Sequence, residues 1–364
     1  MEREYVYPGT FAPPTYGHVQ IALRAADLFS HVTLLCSHNA EKGARWFDEE
    51  TCKTMWSSYP LPENIRIATF EEFTREVRGG SKIVMIRGVR DESDYDHEKK
   101  VLFSNYRRSG VDSCCYFVAD PEHANISSSA AREMARLLDL DNLHRLVSPR
   151  VVSELLKTAL GVSNIFLAVG KPGSGKSTFL KMMAEENGNN HFIETDRWND
   201  SFKGAVAKQF GTDNLIELTL QRDAEISPFL KEAWLGRLAS ELRRAPKGSN
   251  VFVEAAHGLI PEKSLFRFVG GNVLFFGCDD PSENTARVIN RGTRELLPFI
   301  ERIPGLEESR RIAQENRLAF TYINTSCSLD ELRRRADVFG RNTEKRRDEQ
   351  QRTMGALRAT NRRP

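Results

Sequence analysis

The stretch YPGTFAPPTYGH, residues 7–18, decides how the first part of this 364-residue chain folds. An apolar strand pattern, Tyr5–Tyr7, precedes it, and an amphipathic helix pattern follows it from Val19 to Phe29. A loop rich in glycine and proline therefore connects a strand to a helix. The backbone N–H groups at the start of that helix favour an anion. Because Thr10 and His18 flank the same turn, we expect an anion-binding loop. The simpler alternative is a Pro/Gly turn with a helix-capping histidine.

Strand and helix patterns alternate through the rest of the first half. The apolar strand patterns are Val32–Ser37, Ile65–Phe70, Lys82–Gly88 and Cys114–Ala119. This alternation predicts an α/β fold in which a doubly wound parallel sheet carries helices on both faces. Ligands of such sheets bind beyond the carboxyl ends of the strands. The loop at residues 10–18 and the loops that follow the second and fourth strands should therefore share one rim.

Two further stretches carry chemistry suited to a phosphate-rich ligand. Arg87 and Arg90 lie in IRGVR at the end of a strand, where arginine can hold a phosphate with two hydrogen bonds and Gly88 permits close backbone approach. The alternative for this region, as far as Glu98, is a solvated face of ion pairs. ISSSAAREM, residues 126–134, opens a helix with three serines, which offer hydroxyl and amide groups to phosphate oxygens. A plain serine N-cap is the alternative there.

Taken together, PGTFAPPTYGH, the lysine of SHNAEKGARWF, IRGVR and ISSSAARE resemble the bacterial type of phosphopantetheine adenylyltransferase over about residues 1–160. The resemblance implies a Rossmann-like nucleotidyltransferase fold, transfer of an adenylyl group from ATP to 4′-phosphopantetheine, and catalytic roles for His18 and Lys42. It also leaves open a homo-oligomer formed through this domain. Implied phosphopantetheine contacts are Thr10, Lys42 and Arg87. Implied ATP contacts are Thr10, Phe11, His18, Gly88, Val89, Arg90, Glu98, Ser127, Ser128 and Ser129.

The chemistry of such a site follows from its groups. The attacking phosphate is already anionic, so no strong general base is needed. Neutralisation of charge and in-line positioning can therefore supply most of the catalysis. His18 would hydrogen-bond the charge that develops on the α-phosphate, and Mg²⁺ would balance the triphosphate.

The second half opens with a P-loop pattern. GKPGSGKST, residues 170–178, follows a strand pattern and precedes a helix pattern, which is the context that the pattern requires. Amides of the loop cradle phosphates, Lys176 reaches the β- and γ-phosphates, and Ser177 holds Mg²⁺. A chance match is the alternative. The predicted ATP-binding residues of this half are Gly173, Ser174, Gly175, Lys176, Ser177, Thr178 and Arg291.

The remainder resembles dephospho-CoA kinase more faintly, through FIETD, VFVEAAHGLIPE, ARVINRGTR, SRRIAQENR and INTSCSLDEL. The resemblance implies that Asp196 is a general base, although a helix N-cap is an equal alternative. Arg287, Arg291 and Arg294 recur at about one helical turn, so they could neutralise the γ-phosphate or form a solvated basic face. Glu194 replaces an expected aspartate, and the HPxI segment of that family is absent.

Composition sets the broader limits. Hydrophobic residues make up 40% of the chain, charged residues 28%, and the net charge is +2, so neither nucleic acid nor a membrane is an expected partner. No apolar run approaches about 18 residues. The six cysteines lack CxxC spacing, which favours free thiols in a reducing cytoplasm. We predict an adenylyltransferase-like domain at 1–161, a P-loop kinase domain at 162–340, and a basic tail at 341–364, disordered or a frayed helix, with eight Lys/Arg and three acids.

The leading hypothesis is a bifunctional coenzyme A biosynthesis enzyme in which the first domain makes dephospho-CoA and the second phosphorylates it with another ATP. One alternative is a nicotinamide mononucleotide adenylyltransferase fused to a ribosylnicotinamide-type kinase. Another joins the adenylyltransferase to a P-loop kinase of different small-molecule specificity. A third, of another class, is a ligand-sensing regulator with degenerate sites. Intact His18 and Lys176 argue against the regulator.

Overall fold

The computed structural model describes residues 3–37, 46–77, 81–90, 92–108, 111–186, 188–254 and 262–360. The chain divides into two compact units, Met1–Leu155 and Leu156–Pro364, which we call the N-terminal and C-terminal units. The division falls inside a helix, Pro149–Leu160, a few residues before the predicted boundary at residue 161.

The N-terminal unit is a parallel sheet in the order β3-β2-β1-β4-β5 with flanking helices, as the sequence predicts. Its strands are β1 (Arg3–Gly9), β2 (Val32–Cys36), β3 (Ile65–Thr69), β4 (Lys82–Val89) and β5 (Val111–Val118). Its helices are α1 (Tyr16–Leu28), α2 (Glu49–Trp56), α3 (Phe70–Glu76), α4 (Glu92–Arg108), α5 (Ser128–Leu137), α6 (Leu140–Leu146) and α7 (Pro149–Leu160).

Periodicity explains these elements. Every residue of β2 is buried, which a strand covered on both faces requires. Helix α1 buries Val19, Ile21, Ala22 and Ala25, the stripe expected at helical spacing. Because all the strands are parallel, their carboxyl ends lie along one edge, where β1 and β4 end side by side.

The C-terminal unit is a second parallel sheet, in the order β10-β9-β6-β8-β7. Its strands are β6 (Asn164–Val169), β7 (Asn190–Glu194), β8 (Asn250–Glu254), β9 (Asn272–Gly277) and β10 (Phe320–Asn324). Its helices are α8 (Lys176–Glu186), α9 (Asn199–Phe210), α10 (Leu215–Arg243), α11 (Glu262–Val269), α12 (Pro281–Asn290), α13 (Leu297–Arg302), α14 (Leu306–Glu315) and α15 (Leu329–Thr360). The strand that precedes residues 170–178, β6, is central.

Two rows of side chains cross this second sheet. Phe166 and Phe192 both stack on Phe252, with ring centroids 4.8 and 5.1 Å apart. At the amino ends of the same strands, Asn164 Nδ2 donates to Asn250 Oδ1 at 2.8 Å, and Asn250 Nδ2 donates to Asn190 Oδ1 at 3.2 Å. We call these three amides the asparagine ladder. They satisfy one another inside a sheet where water does not reach Asn250.

The segment predicted as a disordered tail or a frayed helix is helical, because α15 continues to Thr360. Residues 341–354 contain neither glycine nor proline and are rich in arginine, lysine, glutamate and glutamine, which favour helix. Within the described ranges, no helix combines the length and the apolar character needed to cross a bilayer. All six cysteines are free thiols, as expected from their spacing.

Candidate active sites

The first site begins at the N-terminus of α1. The backbone N–H of Thr15 donates to His18 Nδ1 at 3.1 Å, and the Thr15 hydroxyl lies 2.9 Å from the same nitrogen. Because Nδ1 accepts the N–H, the neutral imidazole carries its proton on Nε2. The alternative of a helix-capping histidine is therefore observed, and the capping contact fixes the ring so that its other nitrogen is a donor.

Phe11 holds the loop before this helix. It is buried, and its ring meets the rings of Tyr7, His18 and Trp56 edge-on with centroids 5.0–5.3 Å apart. A Cβ at Gly9 would lie 2.7 Å from the Phe11 ring, so only glycine leaves room for it. The hydroxyl of Tyr7 is buried below the loop, and this burial raises the pKa of Tyr7. The ring of Phe11 thus supports His18 from the protein interior.

The serine segment meets the same loop from α5. Ser127 caps α5 by accepting the Ala130 N–H at 3.1 Å. Ser128 Oγ donates to the Pro13 carbonyl at 2.7 Å, and Arg132 Nη1 donates to the Ala12 carbonyl at 2.6 Å. These bonds bring the start of α5 against the start of α1 across more than a hundred residues of sequence. Two helix N-termini therefore border one space, which favours an anion.

At the end of β4, Arg87 is held in place by protein groups. Its Nε and Nη2 donate to the two carboxylate oxygens of Glu98, each at 2.5 Å, and its Nη1 donates to the Pro8 carbonyl at 2.8 Å. Burial lowers the pKa of the Arg87 guanidinium, but the hydrogen bonds and charge of Glu98 outweigh burial, so the net pKa is raised. Arg90 pairs with Asp94, Nε to Oδ2 at 2.6 Å. Both arginines therefore form ion pairs, as the alternative interpretation predicts. The Arg90–Asp94 pair is the more exposed of the two.

A cavity of about 750 Å³ joins these segments. It brings together most of the residues predicted for the first half: Thr10, Phe11, His18, Arg87, Gly88, Arg90, Glu98, Ser127, Ser128 and Ser129. Val89 is buried and is not among the described residues that line the cavity. Lys42 lies outside the described residues.

Sequence reasoning missed two cavity-lining residues of functional interest, Arg132 and His123. Arg132 is bonded to the Ala12 carbonyl and, through Nη2 at 3.0 Å, to the Ser129 hydroxyl. Burial and the positive charge of Arg136 lower the pKa of Arg132. A lowered arginine pKa means that the protonated form is destabilised where it stands, so an anion beside it would be favourable. The signal was present in ISSSAARE, which places an arginine one turn after the serines.

Comparisons with known proteins agree with this geometry. Residues 6–134 match the cytidylyltransferase-like family. The phosphopantetheine adenylyltransferase of Aquifex aeolicus is 31% identical over 157 residues, which make up 43% of this chain and 95% of that protein. Through its N-terminal unit, the chain belongs to the phosphopantetheine adenylyltransferase family. The enzyme of the same name from Thermosynechococcus vestitus is 32% identical over 41% of this chain and 89% of its own length.

The N-terminal unit is thus a nucleotidyltransferase, and ATP is the substrate of its adenylyltransferase homologues. Solved structures align more weakly. TT1252 from Thermus thermophilus covers 48% of this chain and 95% of its own at 18% identity, with a TM-score of 0.37. A NadR protein in complex with NAD and AMP-PNP covers 94% of this chain and 97% of its own at 15% identity, with a TM-score of 0.32. At these scores neither alignment bears on function.

The second candidate site lies in the C-terminal unit, at the carboxyl end of β6. A Cβ at Gly170 would lie 2.3 Å from the Phe276 carbonyl oxygen, so the turn out of β6 requires glycine. Lys176, the first residue of α8, is buried and donates its Nζ to the Gly170 carbonyl at 2.8 Å. Ser177 follows it, and Thr178 continues the helix. The predicted strand, loop and helix are therefore all present.

Glu254, which the sequence analysis did not single out, is the partner of Ser177. It is the last residue of β8, lies beside Ala168 of β6, and is buried. Its Oε1 accepts the Ser177 hydroxyl at 2.7 Å, and its carbonyl accepts the Thr195 hydroxyl at 2.8 Å. A hydroxyl paired with a carboxylate is a donor set that suits Mg²⁺. The signal was the acid that closes the strand pattern VFVE.

The remaining residues predicted for the kinase site have different surroundings. Thr195–Trp198 is a short 3-10 turn, and the side chain of Asp196 within it lies outside the described residues. Arg291 is exposed at the C-terminal end of α12. Arg287 instead points into the protein, where it bonds the Gly173 carbonyl, Glu283 and both oxygens of Thr325. Of the three recurring arginines, Arg287 is thus a structural contact of the loop that contains Gly173.

Proposed function

We propose that the N-terminal unit transfers the adenylyl group of ATP to 4′-phosphopantetheine, giving dephospho-CoA and pyrophosphate. The observation that carries this proposal is the similarity to phosphopantetheine adenylyltransferases over nearly their whole length, together with the cavity that gathers the predicted residues. The phosphate oxygen of the acceptor attacks the α-phosphorus, and the bond from that phosphorus to the oxygen that bridges it to the β-phosphorus breaks, so that pyrophosphate leaves with that oxygen.

Each group at the cavity has a role in that reaction. The Nε2–H of His18 hydrogen-bonds a non-bridging oxygen of the α-phosphate, where charge develops in the transition state. Arg132 and the amides at the start of α5 bind the leaving pyrophosphate, because they combine a cation with a helix N-terminus. Arg87, paired with Glu98 in the structure, would meet the acceptor phosphate only by exchanging part of that pair.

We further propose that the C-terminal unit is a P-loop kinase that phosphorylates the ribose 3′-hydroxyl of dephospho-CoA with a second ATP. Support comes from the glycine-dependent loop after β6, buried Lys176, and the Ser177–Glu254 pair. The product of the first reaction is then the acceptor of the second. Asp196 would accept the hydroxyl proton.

Mg²⁺ would bind at Ser177 with Glu254 close behind it, and it would shield the charge of the phosphates. The protein supplies the remaining effects. The P-loop amides orient the phosphates, and Lys176 leaves its carbonyl partner, Gly170, to meet the β- and γ-phosphates.

The test supplies full-length protein with ATP, Mg²⁺ and either 4′-phosphopantetheine or nicotinamide mononucleotide, and identifies products by mass spectrometry. We expect dephospho-CoA and then CoA from the first acceptor and no dinucleotide from the second. Production of a dinucleotide from nicotinamide mononucleotide would overturn the acceptor assignment.

The Lys176→Ala variant separates the two steps. Because Lys176 belongs to the C-terminal unit, this variant should accumulate dephospho-CoA at the wild-type rate of pyrophosphate release while forming no CoA. A Lys176→Ala protein that still makes CoA would contradict the proposed kinase site. If dephospho-CoA is never phosphorylated but another hydroxyl compound is, only the P-loop kinase class survives.

A further inference from the structure

The P-loop of the C-terminal unit is held from behind by the segment that follows β10. Thr325, the first residue after that strand, is 2% exposed. Its hydroxyl lies 2.9 Å from the Ser174 carbonyl and 3.2 Å from the Gly277 carbonyl, to either of which it can donate. Its methyl side packs where a Cβ at Gly175 would lie 3.2 Å away. One buried threonine therefore touches two consecutive residues of the P-loop.

Arg287 completes this contact. Its Nη1 donates to the Thr325 hydroxyl at 3.1 Å and lies 3.3 Å from the Gly173 carbonyl, while its Nη2 donates to the Thr325 carbonyl at 2.9 Å. Because the arginine donates to the threonine hydroxyl, that hydroxyl keeps its own hydrogen for a carbonyl. Arg287 is thus the donor to the Gly173 carbonyl, and the Ser174 carbonyl is the nearer of the two carbonyls that the Thr325 hydroxyl can reach.

The direction of the Ser174 carbonyl determines the direction of the next amide. In a trans peptide the C=O of one residue and the N–H of the next point in opposite directions. A Ser174 carbonyl held toward Thr325 therefore turns the Gly175 N–H away from Thr325. Gly175 has φ +82° and carries no side chain that could restrain this peptide plane. The restraint must therefore come from another residue.

We propose that Thr325 is a positioning residue for nucleotide binding at the P-loop: by holding the Ser174 carbonyl, it fixes the Gly175 amide toward the phosphates. This inference rests on the proposed phosphate-binding role of the P-loop. It assigns the role to a residue that lies 151 positions from its partner and touches no phosphate itself.

The test measures binding of Mg²⁺·AMP-PNP to the full chain by titration calorimetry. The P-loop component is the one that disappears in Lys176→Ala. We expect Thr325→Val, which keeps the shape and removes the hydroxyl, to weaken that component about tenfold, the effect of one hydrogen bond. Thr325→Ser, which restores the hydroxyl, should bind within about twofold of wild type. Thr321→Val, the same change at an exposed position of β10, is the matched control.

Each result of these titrations either supports or contradicts the positioning role of Thr325. Undiminished affinity in Thr325→Val, or an equal loss in Thr325→Ser, would overturn the proposal, since a purely structural threonine would change the melting temperature without this pattern of rescue. If Thr325→Val does not fold, Arg287→Gln replaces it, and unchanged affinity there would equally overturn the proposal. A wild-type protein without any Lys176-dependent component would refute the kinase proposal itself, which is a different result from a wild-type component that ignores Thr325.

Discussion

Arg87 and Glu98 form a two-pronged ion pair at the edge of the adenylyltransferase cavity, with both nitrogen–oxygen distances at 2.5 Å. Sequence motifs had assigned these residues to different ligands, the acceptor and ATP. The pair joins the end of β4 to α4, and a third bond ties Arg87 to the Pro8 carbonyl at the end of β1. Its main effect is therefore to hold the rim of the cavity together.

Breaking that pair should destabilise the N-terminal unit. Glu98→Gln leaves the Arg87 charge, which is largely buried, without its counter-charge, and we expect a loss of about 3 kcal/mol in the free energy of unfolding, measured by urea denaturation. Glu71→Gln, which breaks the exposed pair with Arg75, is the control and should cost less than about 0.5 kcal/mol. Equal costs for the two variants would show that the Arg87–Glu98 pair has no special weight.

The two nitrogens of His18 can be tested separately. His18→Asn keeps an acceptor near the position of Nδ1, so the cap on Thr15 should survive, but it removes the donor at Nε2. We expect the rate of adenylyl transfer to fall about 10²–10³-fold in His18→Asn and in His18→Ala alike, because one preorganised donor to the developing charge is lost. The melting temperature should fall in His18→Ala only. Full activity in His18→Asn would remove Nε2 from the mechanism.

Arg132 and Arg136 provide a matched pair one turn apart on α5. Only Arg132 lines the cavity, whereas Arg136 packs on Trp46 and pairs with Glu133. Arg132→Ala should lower kcat/KM for ATP by about 10²-fold, since a cation at the leaving pyrophosphate is lost. Arg136→Ala should change it less than about threefold. Similar losses in both variants would indicate a general effect of charge rather than a contact.

Glu254 should control the magnesium requirement of the C-terminal unit. In Glu254→Gln the Ser177 hydroxyl loses its charged partner, and the Mg²⁺ concentration for half-maximal phosphorylation of dephospho-CoA should rise about 10–100-fold. Pyrophosphate release by the N-terminal unit, assayed in the same protein, is the control and should not change. An unaltered Mg²⁺ dependence of phosphorylation would separate Glu254 from the metal.

The sequence was sufficient to predict the sheets, because each strand has its own local pattern of apolar residues. The apolar run at β2 and the stripe on α1 need no knowledge of distant residues. Sequence motifs likewise predicted ten of the twenty described residues that line the cavity. What it missed depends on contacts between remote segments: Glu254 meets Ser177 across 77 positions, and Arg132 meets Ala12 across 120. Such pairs exist only once the sheet order brings two strand ends or two helix ends together.

The tail shows the opposite limit. Its composition left both disorder and a frayed helix open, since charge and helix propensity arise from the same residues, so composition alone does not separate a solvated helix from a coil.

The asparagine ladder has a consequence at the far end of the second sheet. Asn164, Asn250 and Asn190 stand in register, and four residues later so do Ala168, Glu254 and Glu194. Four residues of strand span about 13 Å. The row of amides at the amino ends of the strands therefore fixes how far along the strands the carboxylates at the carboxyl ends lie. A strand segment between these two rows could be exchanged for another of equal length without moving the rim. A segment shortened by one residue would turn its acid to the opposite face of the sheet. The ladder thus fixes the length of strand between the amides and the carboxylates. A segment between them can be replaced by another of the same length, but it cannot be shortened.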